Sequence, residues 1–274
     1  MPIVAITREM GSLGKDVAKG LGEALGVPVV YHEVIEHLAD KMRVRKSHVI
    51  RLLDGKAGLL ERLTADKTSM FVHTADEIVA MALNGRGAVI RGWGATHLLR
   101  DIQHVVCVRV CAPFAVRQRR MMERLGSDDA AQVADEIQRN DEAHTAIMRR
   151  HFDIRWTEPE HYDLVLNTER VGVDECVEEV MSLVESPEFA ETDESRAQLE
   201  GLALSAHVRA ALCRSPETRG IKVAVTADRG RVTFAGCSKD ELLALVEVAA
   251  GVPGVRDVIY RARTPVEEAR TRLH

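Results

Sequence analysis

The feature that most constrains the fold of this chain is a set of short, nearly unbroken apolar runs separated by helical stretches. They are Ile3 to Thr7, Val27 to Tyr31, Ala88 to Arg91, His104 to Val110 and Asp163 to Asn167. Runs this rich in Val and Ile, with no regular alternation of polar residues, cannot leave one face in water. They suit a parallel sheet covered by helices on both sides, and so predict an α/β layered domain. Two intervals are longer than an ordinary crossover. The one between Tyr31 and Ala88 carries helical periodicity, as in Ile78, Met81, Ala82 and Leu83 before Asn84-Gly85, and reads as a helical insertion. The one from about Arg117 to Arg150 is dense in Arg and Met. Within it Gly126 can end one helix and Ser127-Asp128 can cap the next, so this pair of helices could move as a lid.

Chemistry is suggested where the first run ends. Thr7 is followed by Arg8-Glu9-Met10-Gly11-Ser12-Leu13-Gly14-Lys15 and then by a helix with Val17, Ala18, Leu21 and Leu25 on its apolar positions. In a strand, glycine loop and helix in this order, Gly11 and Gly14 let the backbone approach a ligand closely. The helix start presents unpaired N–H groups and a partial positive charge, and Lys15 adds a full one. The common triphosphate loop, Gly-x4-Gly-Lys followed by Ser or Thr, is departed from twice, because Glu9 replaces its first Gly and Asp16 follows Lys15. On residues alone, a phosphate seat and a simple βα turn with Asp16 favoured by the helix dipole both remain open.

Bulk properties exclude other classes. The 274 residues carry 37 Lys and Arg against 42 Asp and Glu, a formal net charge of −5, so no overall positive field recruits nucleic acid and any anion site must be local. The five cysteines include no Cys-x-x-Cys pair, which argues against a disulfide framework and a zinc site and for a reducing compartment. No run reaches the length of a membrane span and the first residues lack a secretory pattern, so a cytoplasmic location is expected.

Taken together, ITREMGSLGKDVAKGLGEALGVPVVYHEVI, GAVIRGWGATHLL, VRVCAPFAVRQRRMMERLG and HYDLVLNTERVGVDECVEEV resemble the cytidylate kinase-like family, a branch of the nucleoside monophosphate kinases, over about residues 1 to 185. That family has its own phosphate loop, Ser/Thr-Arg-Glu, an aromatic or similar residue, then Gly-Ser-x-Gly, which Thr7 to Gly14 match. The resemblance implies a P-loop kinase fold of three layers with parallel strand order 2-3-1-4-5. It also implies ATP with Mg²⁺ on a loop formed by Arg8, Gly11, Ser12, Leu13, Gly14, Lys15 and Asp16, with Asp16 beside the metal. Lys15, Arg117 and Arg120 would be catalytic, spreading positive charge around the phosphoryl group in flight. Arg124, Arg139, Asp141, Arg149 and Arg150 would belong to the lid. Arg117, Arg120 and Arg124 share a helical face, and a solvated basic face is the alternative reading. A nucleotide or other small phosphate acceptor would lie near Tyr31, His32, Arg91 and Trp93. The chain departs from the family in this pocket: Gly92-Trp93-Gly94 stands where Gly-Arg-Gly is usual, His32 follows Tyr31 where an acid is usual, and His144 takes a lid position that is often Arg. These exchanges leave the acceptor open.

Residues 1–186 are thus read as the kinase-like domain and the acidic, polar stretch 187–201 as a linker. Residues 202–274 form a second unit with the order helix (204–212), strand (221–226), strand (232–234), helix (241–250), strand (255–260). This α-β-β-α-β unit resembles a BON domain, especially at Arg231-Val232-Thr233-Phe234-Ala235-Gly236 and Val252-Pro253-Gly254-Val255. The resemblance implies a docking or sensory role toward a protein, lipid or small ligand, and homo-oligomerisation is compatible with it. A unit of this size buries only about 60% of its unfolded surface and so tends to lean on a partner. The functions in contention are an ATP-dependent phosphotransferase, a nucleotide sensor that transfers nothing, and a scaffold.

Overall fold

The computed structural model describes residues 1–31, 67–92 and 94–261. Five parallel strands, β1 (Ile3–Arg8), β2 (Val29–Val30), β3 (Ala88–Arg91), β4 (Val105–Cys111) and β5 (Leu164–Asn167), form a sheet in the order β2-β3-β1-β4-β5, the order expected. β1 is central. It runs from Ile3 beside Val105 to Arg8 beside Val110, with β3 on its other edge.

The two faces of the sheet differ. On one, Val4, Ile6, Val106, Val108 and Val110 pack with Val17, Ala18 and Leu21 of α1 (Gly14–Leu25) and with Cys176 and Val180 of α6 (Val173–Val184). The buried positions of α1 recur at helical spacing, which is why this segment is helical and why it lies flat on the sheet. The opposite face carries Ala5, Thr7, Cys107 and Arg109, the alternate residues of the same strands. The two cysteines of β4 are free thiols; Cys107 is fully buried and its pKa is pushed up by burial, and Cys111 is half-buried.

Between β3 and β4 lies a short helix, α3 (Ala95–Leu98), and after β4 come the two lid-region helices, α4 (Phe114–Leu125) and α5 (Ala130–Phe152). Gly126 ends α4 with a left-handed C-cap, and the Asp129 carboxylate caps α5 by accepting from Gln132 N–H at 2.9 Å. The cap therefore falls one residue later than the expected Ser127-Asp128, on the acid whose side chain reaches the third N–H of the helix.

By compactness the chain divides into Met1–Asp66 with Asn84–Thr192, and Lys67–Leu83 with Asp193–His274. This differs from the expected boundaries in two ways. Helix α2 (Lys67–Ala82), part of the interval between β2 and β3, groups with the second unit. The segment 187–201 is not an irregular linker: a 3-10 turn (Pro187–Phe189) is followed by α7 (Asp193–Arg214), which begins eleven residues before the expected Leu204. In that unit β6 (Ala224–Asp228) pairs antiparallel with β7 (Arg231–Ala235), and β7 pairs parallel with β8 (Asp257–Arg261). Helix α8 (Lys239–Ala250) completes the expected α-β-β-α-β order around a core of Val208, Val225, Val232, Phe234 and Leu245. Asp76 of α2 pairs with His207 of α7. Among the described residues no helix is long and apolar enough to cross a membrane.

Candidate functional site

The loop between β1 and α1, where the sequence leads one to expect a phosphate seat, bends tightly at its glycines. Gly11 has φ 81°, and a Cβ built there would lie 2.7 Å from the carbonyl oxygen of Arg117, so only glycine fits. Leu13 also adopts the left-handed region, with φ 61°, which an L side chain enters at a cost and which often marks a functional turn. Gly14 is forced by proximity, since a Cβ would meet that of Arg8 at 2.6 Å. Past the bend, the Asp16 and Val17 N–H groups both donate to Leu13 O, at 2.9 and 3.0 Å, and α1 begins. Among the described residues, the N–H groups of Leu13, Gly14 and Lys15 have no protein acceptor. Lys15 and Asp16 are exposed beside them.

The loop is held from beneath. The Ser12 side chain is fully buried, its hydroxyl 2.8 Å from Glu9 O and 3.0 Å from Val110 O, so it points inward and serves the loop's shape. Ser12 O accepts from the Thr168 hydroxyl at 2.8 Å. Thr168 in turn accepts from Arg120 at its hydroxyl (3.0 Å) and its carbonyl (2.7 Å).

Glu9 fills the place of the missing glycine and anchors a buried ionic cluster. One carboxylate oxygen accepts from Arg109 at 2.7 Å; the other accepts from Ala112 N–H at 3.2 Å and lies 3.5 Å from Arg117 Nε. These three side chains are only 13%, 10% and 7% exposed. Arg117 has a partner at each nitrogen. Nε donates to Ala112 O (3.1 Å), Nη1 to Met10 O (3.3 Å) and Nη2 to Asp141 Oδ2 (2.9 Å). Asp141 Oδ1 is buried with no hydrogen-bond partner, and burial raises the Asp141 pKa against the opposing pull of Arg117. A groove of about 660 Å³ opens next to this pair, lined by Phe114, Gln138, Asp141, Glu142, Thr145, Ala146 and Arg149.

Above Thr7 and Arg109, helix α5 lays a polar aromatic stack on the sheet. His144 stacks on Trp156 with ring centroids 4.1 Å apart, and its Nε2 is 3.5 Å from the Thr7 hydroxyl. Trp156 Nε1 donates to Thr145 Oγ1 at 2.9 Å, and the Arg109 guanidinium lies 5.4 Å from the Trp156 ring centre. Burial, then the positive charges of Arg8, His97 and Arg109, hold the His144 pKa down to about 3. His97, against Phe152, His161 and Tyr162, is lowered to about 4, again chiefly by burial and then by His161 and Arg100. His144 is therefore a neutral packing group.

The sequence-nominated residues thus fall into distinct groups. Arg8, Gly11, Leu13, Gly14, Lys15 and Asp16 lie along the loop from β1 into α1. Arg117 and Arg120 adjoin the loop, already engaged by protein acceptors. Asp141 meets Arg117, and Arg149 lines the groove. Arg124, Arg139 and Arg150 are exposed, with Arg139 Nε donating to Asp135 O within its own helix. Of the four residues expected around an acceptor, Arg91 lies over the Tyr31 ring at 3.9 Å, whereas His32 and Trp93 are outside the described residues. The sequence singled out Glu9 only as a departure from the common loop, with no role, and gave no sign of Arg109, Thr168 or Trp156. The signal for a role of Glu9 was present in its charge: a carboxylate held near the end of a buried strand must find cations of its own, here Arg109 and Arg117.

Comparison with known proteins agrees with this architecture. The chain resembles an uncharacterized protein from Eubacterium ventriosum, with 22% identity, a TM-score of 0.52, and 68% of this chain and 99% of that one covered. It is also similar to a shikimate kinase from Bacteroides thetaiotaomicron, at 15% identity and a TM-score of 0.44, with 68% and 99% covered. No curated protein matches the chain significantly. The model of one family, described as cytidylate kinase-like, matches residues 3–170, more than half the chain and every part of the loop and lid region described above. On that match, the chain belongs to the cytidylate kinase-like family.

Proposed function

We propose that the chain is an ATP-dependent phosphotransferase of the nucleoside monophosphate kinase type. One observation carries this reading: three successive N–H groups, of Leu13, Gly14 and Lys15, have no acceptor among the described residues and open a helix beside an exposed lysine. Anions are stabilised there by the helix dipole and by N–H donors that need no rearrangement. Lys15 would neutralise the terminal phosphates of ATP. Mg²⁺ takes oxygen ligands and commonly binds through one carboxylate and substrate phosphates; Asp16, exposed one residue past Lys15, fits that role, and the inward Ser12 hydroxyl does not. When bound, the ion would draw charge from the phosphate oxygens. Tyr31 and Arg91, with His32 and Trp93, would receive a small phosphate-bearing acceptor, and the exposed lid arginines would close over the transferred group.

A second reading is favoured by a specific observation: Arg117 and Arg120 are already occupied by Asp141, Met10 O, Ala112 O and Thr168. Cations kept by the protein do not reach a moving phosphoryl group, which is what a nucleotide sensor without turnover would require. Incubation with ATP, Mg²⁺ and a panel of nucleoside monophosphates separates the two. The kinase reading expects acceptor-dependent ADP formation that falls on the order of 10²-fold in Lys15→Ala. Binding without ADP formation above that control would leave only the sensor. The second unit we take as BON-like, a docking or sensory module whose ligand would modulate the first.

A further inference from the structure

Arg117 is placed to do more than support the loop. Its Nη1 contacts the phosphate loop at Met10 O, and its Nη2 contacts Asp141, in the middle of α5. These are two ends of one rigid guanidinium. Asp141 is poorly accommodated where it sits: Oδ1 is buried without a partner, and Glu9, another carboxylate, shares the same arginine. A polyphosphate on the loop would offer Arg117 more negative charge, in a fork-matching geometry, than this under-satisfied carboxylate does.

We propose that the Arg117–Asp141 ion pair is a phosphate-responsive latch, holding α5 down when the loop is empty and releasing it when polyphosphate takes Arg117 from Asp141. The proposal rests on the polyphosphate reading of the loop. Release would free the segment that lines the groove at Gln138, Glu142, Thr145 and Arg149, bringing its cation and carboxylates into play only after the loop is filled. Thr145 links this segment to the Trp156 stack, so movement of α5 would also disturb His144 on Trp156.

Hydrogen–deuterium exchange of the full chain with and without inorganic tripolyphosphate tests both layers at once. The expected result is slower exchange at residues 9–17 together with exchange on the order of tenfold faster across residues 138–149. In Asp141→Asn, exchange in that helix should already be fast without ligand, and tripolyphosphate should bind about tenfold more tightly because no carboxylate competes for Arg117. Protection of the loop with α5 unchanged or slowed would overturn the latch alone, as would a variant that binds no more tightly. Absence of loop protection would overturn the polyphosphate reading and the latch with it. If Asp141→Asn does not fold, the wild-type exchange pattern decides.

Discussion

Glu9 shows how a residue that looks like a lost motif position becomes a structural need. Its carboxylate is the counter-ion for Arg109, and it lies against Arg117 as well. Removing one member of a buried ionic cluster strands the others, so Glu9→Ala should lower unfolding stability by about 3–5 kcal/mol, read from urea midpoints. Glu9→Gln should cost less, because it keeps an acceptor for Ala112 N–H. Equal losses in the two variants would mean that charge is not the issue. The sequence showed that Glu9 replaced a glycine, but its ionic partner Arg109 lies 100 residues away, and no local spacing reveals such a pairing.

His144 of α5 and His97 of α3 give a pH signature with a definite sign. His144 and His97 have folded pKa values of about 3 and about 4 against an ordinary 6.5, so the unfolded chain binds more protons in the interval between. Stability contributed by these neutral rings is complete above pH 6.5 and is lost as pH falls through about 4 for His97 and about 3 for His144. The urea midpoint should drop over that interval, and His144→Phe, which keeps a ring against Trp156, should flatten the slope. An unchanged slope in the variant would show that His144 titrates normally.

At the scale of elements, the five-stranded sheet was legible because its strands are buried on both faces, and that burial writes itself as unbroken apolar runs. Only β2, reduced to Val29–Val30, is markedly shorter than its run. Helix α7 was hidden for the opposite reason. Its first turns, from Asp193 and Glu194, are acidic and exposed and look like linker, although such residues favour a helix N-terminus. From Ala203 to Leu212 it is buried on several sides, at Ala203, Leu204, Ser205, Ala206, Val208 and Ala210, which erases the one-face periodicity by which helices are recognised. Helix α8 was read nearly correctly because its start is explicit: Ser238 and Glu241 form a reciprocal capping box, at 3.2 and 2.7 Å. Ser238→Ala should cost about 1 kcal/mol, measured by thermal unfolding, and a neutral change would indicate that the cap is frayed in solution.

For the whole molecule, the assignment of α2 to the second unit changes how the chain can be divided. Ile78, Val79 and Ala82 are buried, and α7 is the helix that α2 packs against. A chain ending at Thr192 would therefore leave α2 without its partner. It should bind a hydrophobic dye and melt below the full-length protein, whereas a two-domain chain joined by a simple linker would lose nothing from its first domain. An unchanged melting temperature and no dye binding would favour that simpler division. Composition and order revealed that there are two units, but not that one of them borrows a helix from within the other's sequence, because the contact of α2 with α7 joins segments far apart along the chain.

The most direct test of the central claim, that the opening of α1 with Lys15 seats a polyphosphate, is isothermal titration of the full chain with ATP and Mg²⁺ beside the Lys15→Ala variant. Saturable heat at one site is expected, weakened at least tenfold by the substitution, since both the ammonium and its neutralisation of the terminal phosphates are lost. Identical isotherms for the two proteins, or no heat from either at millimolar nucleotide, would contradict it.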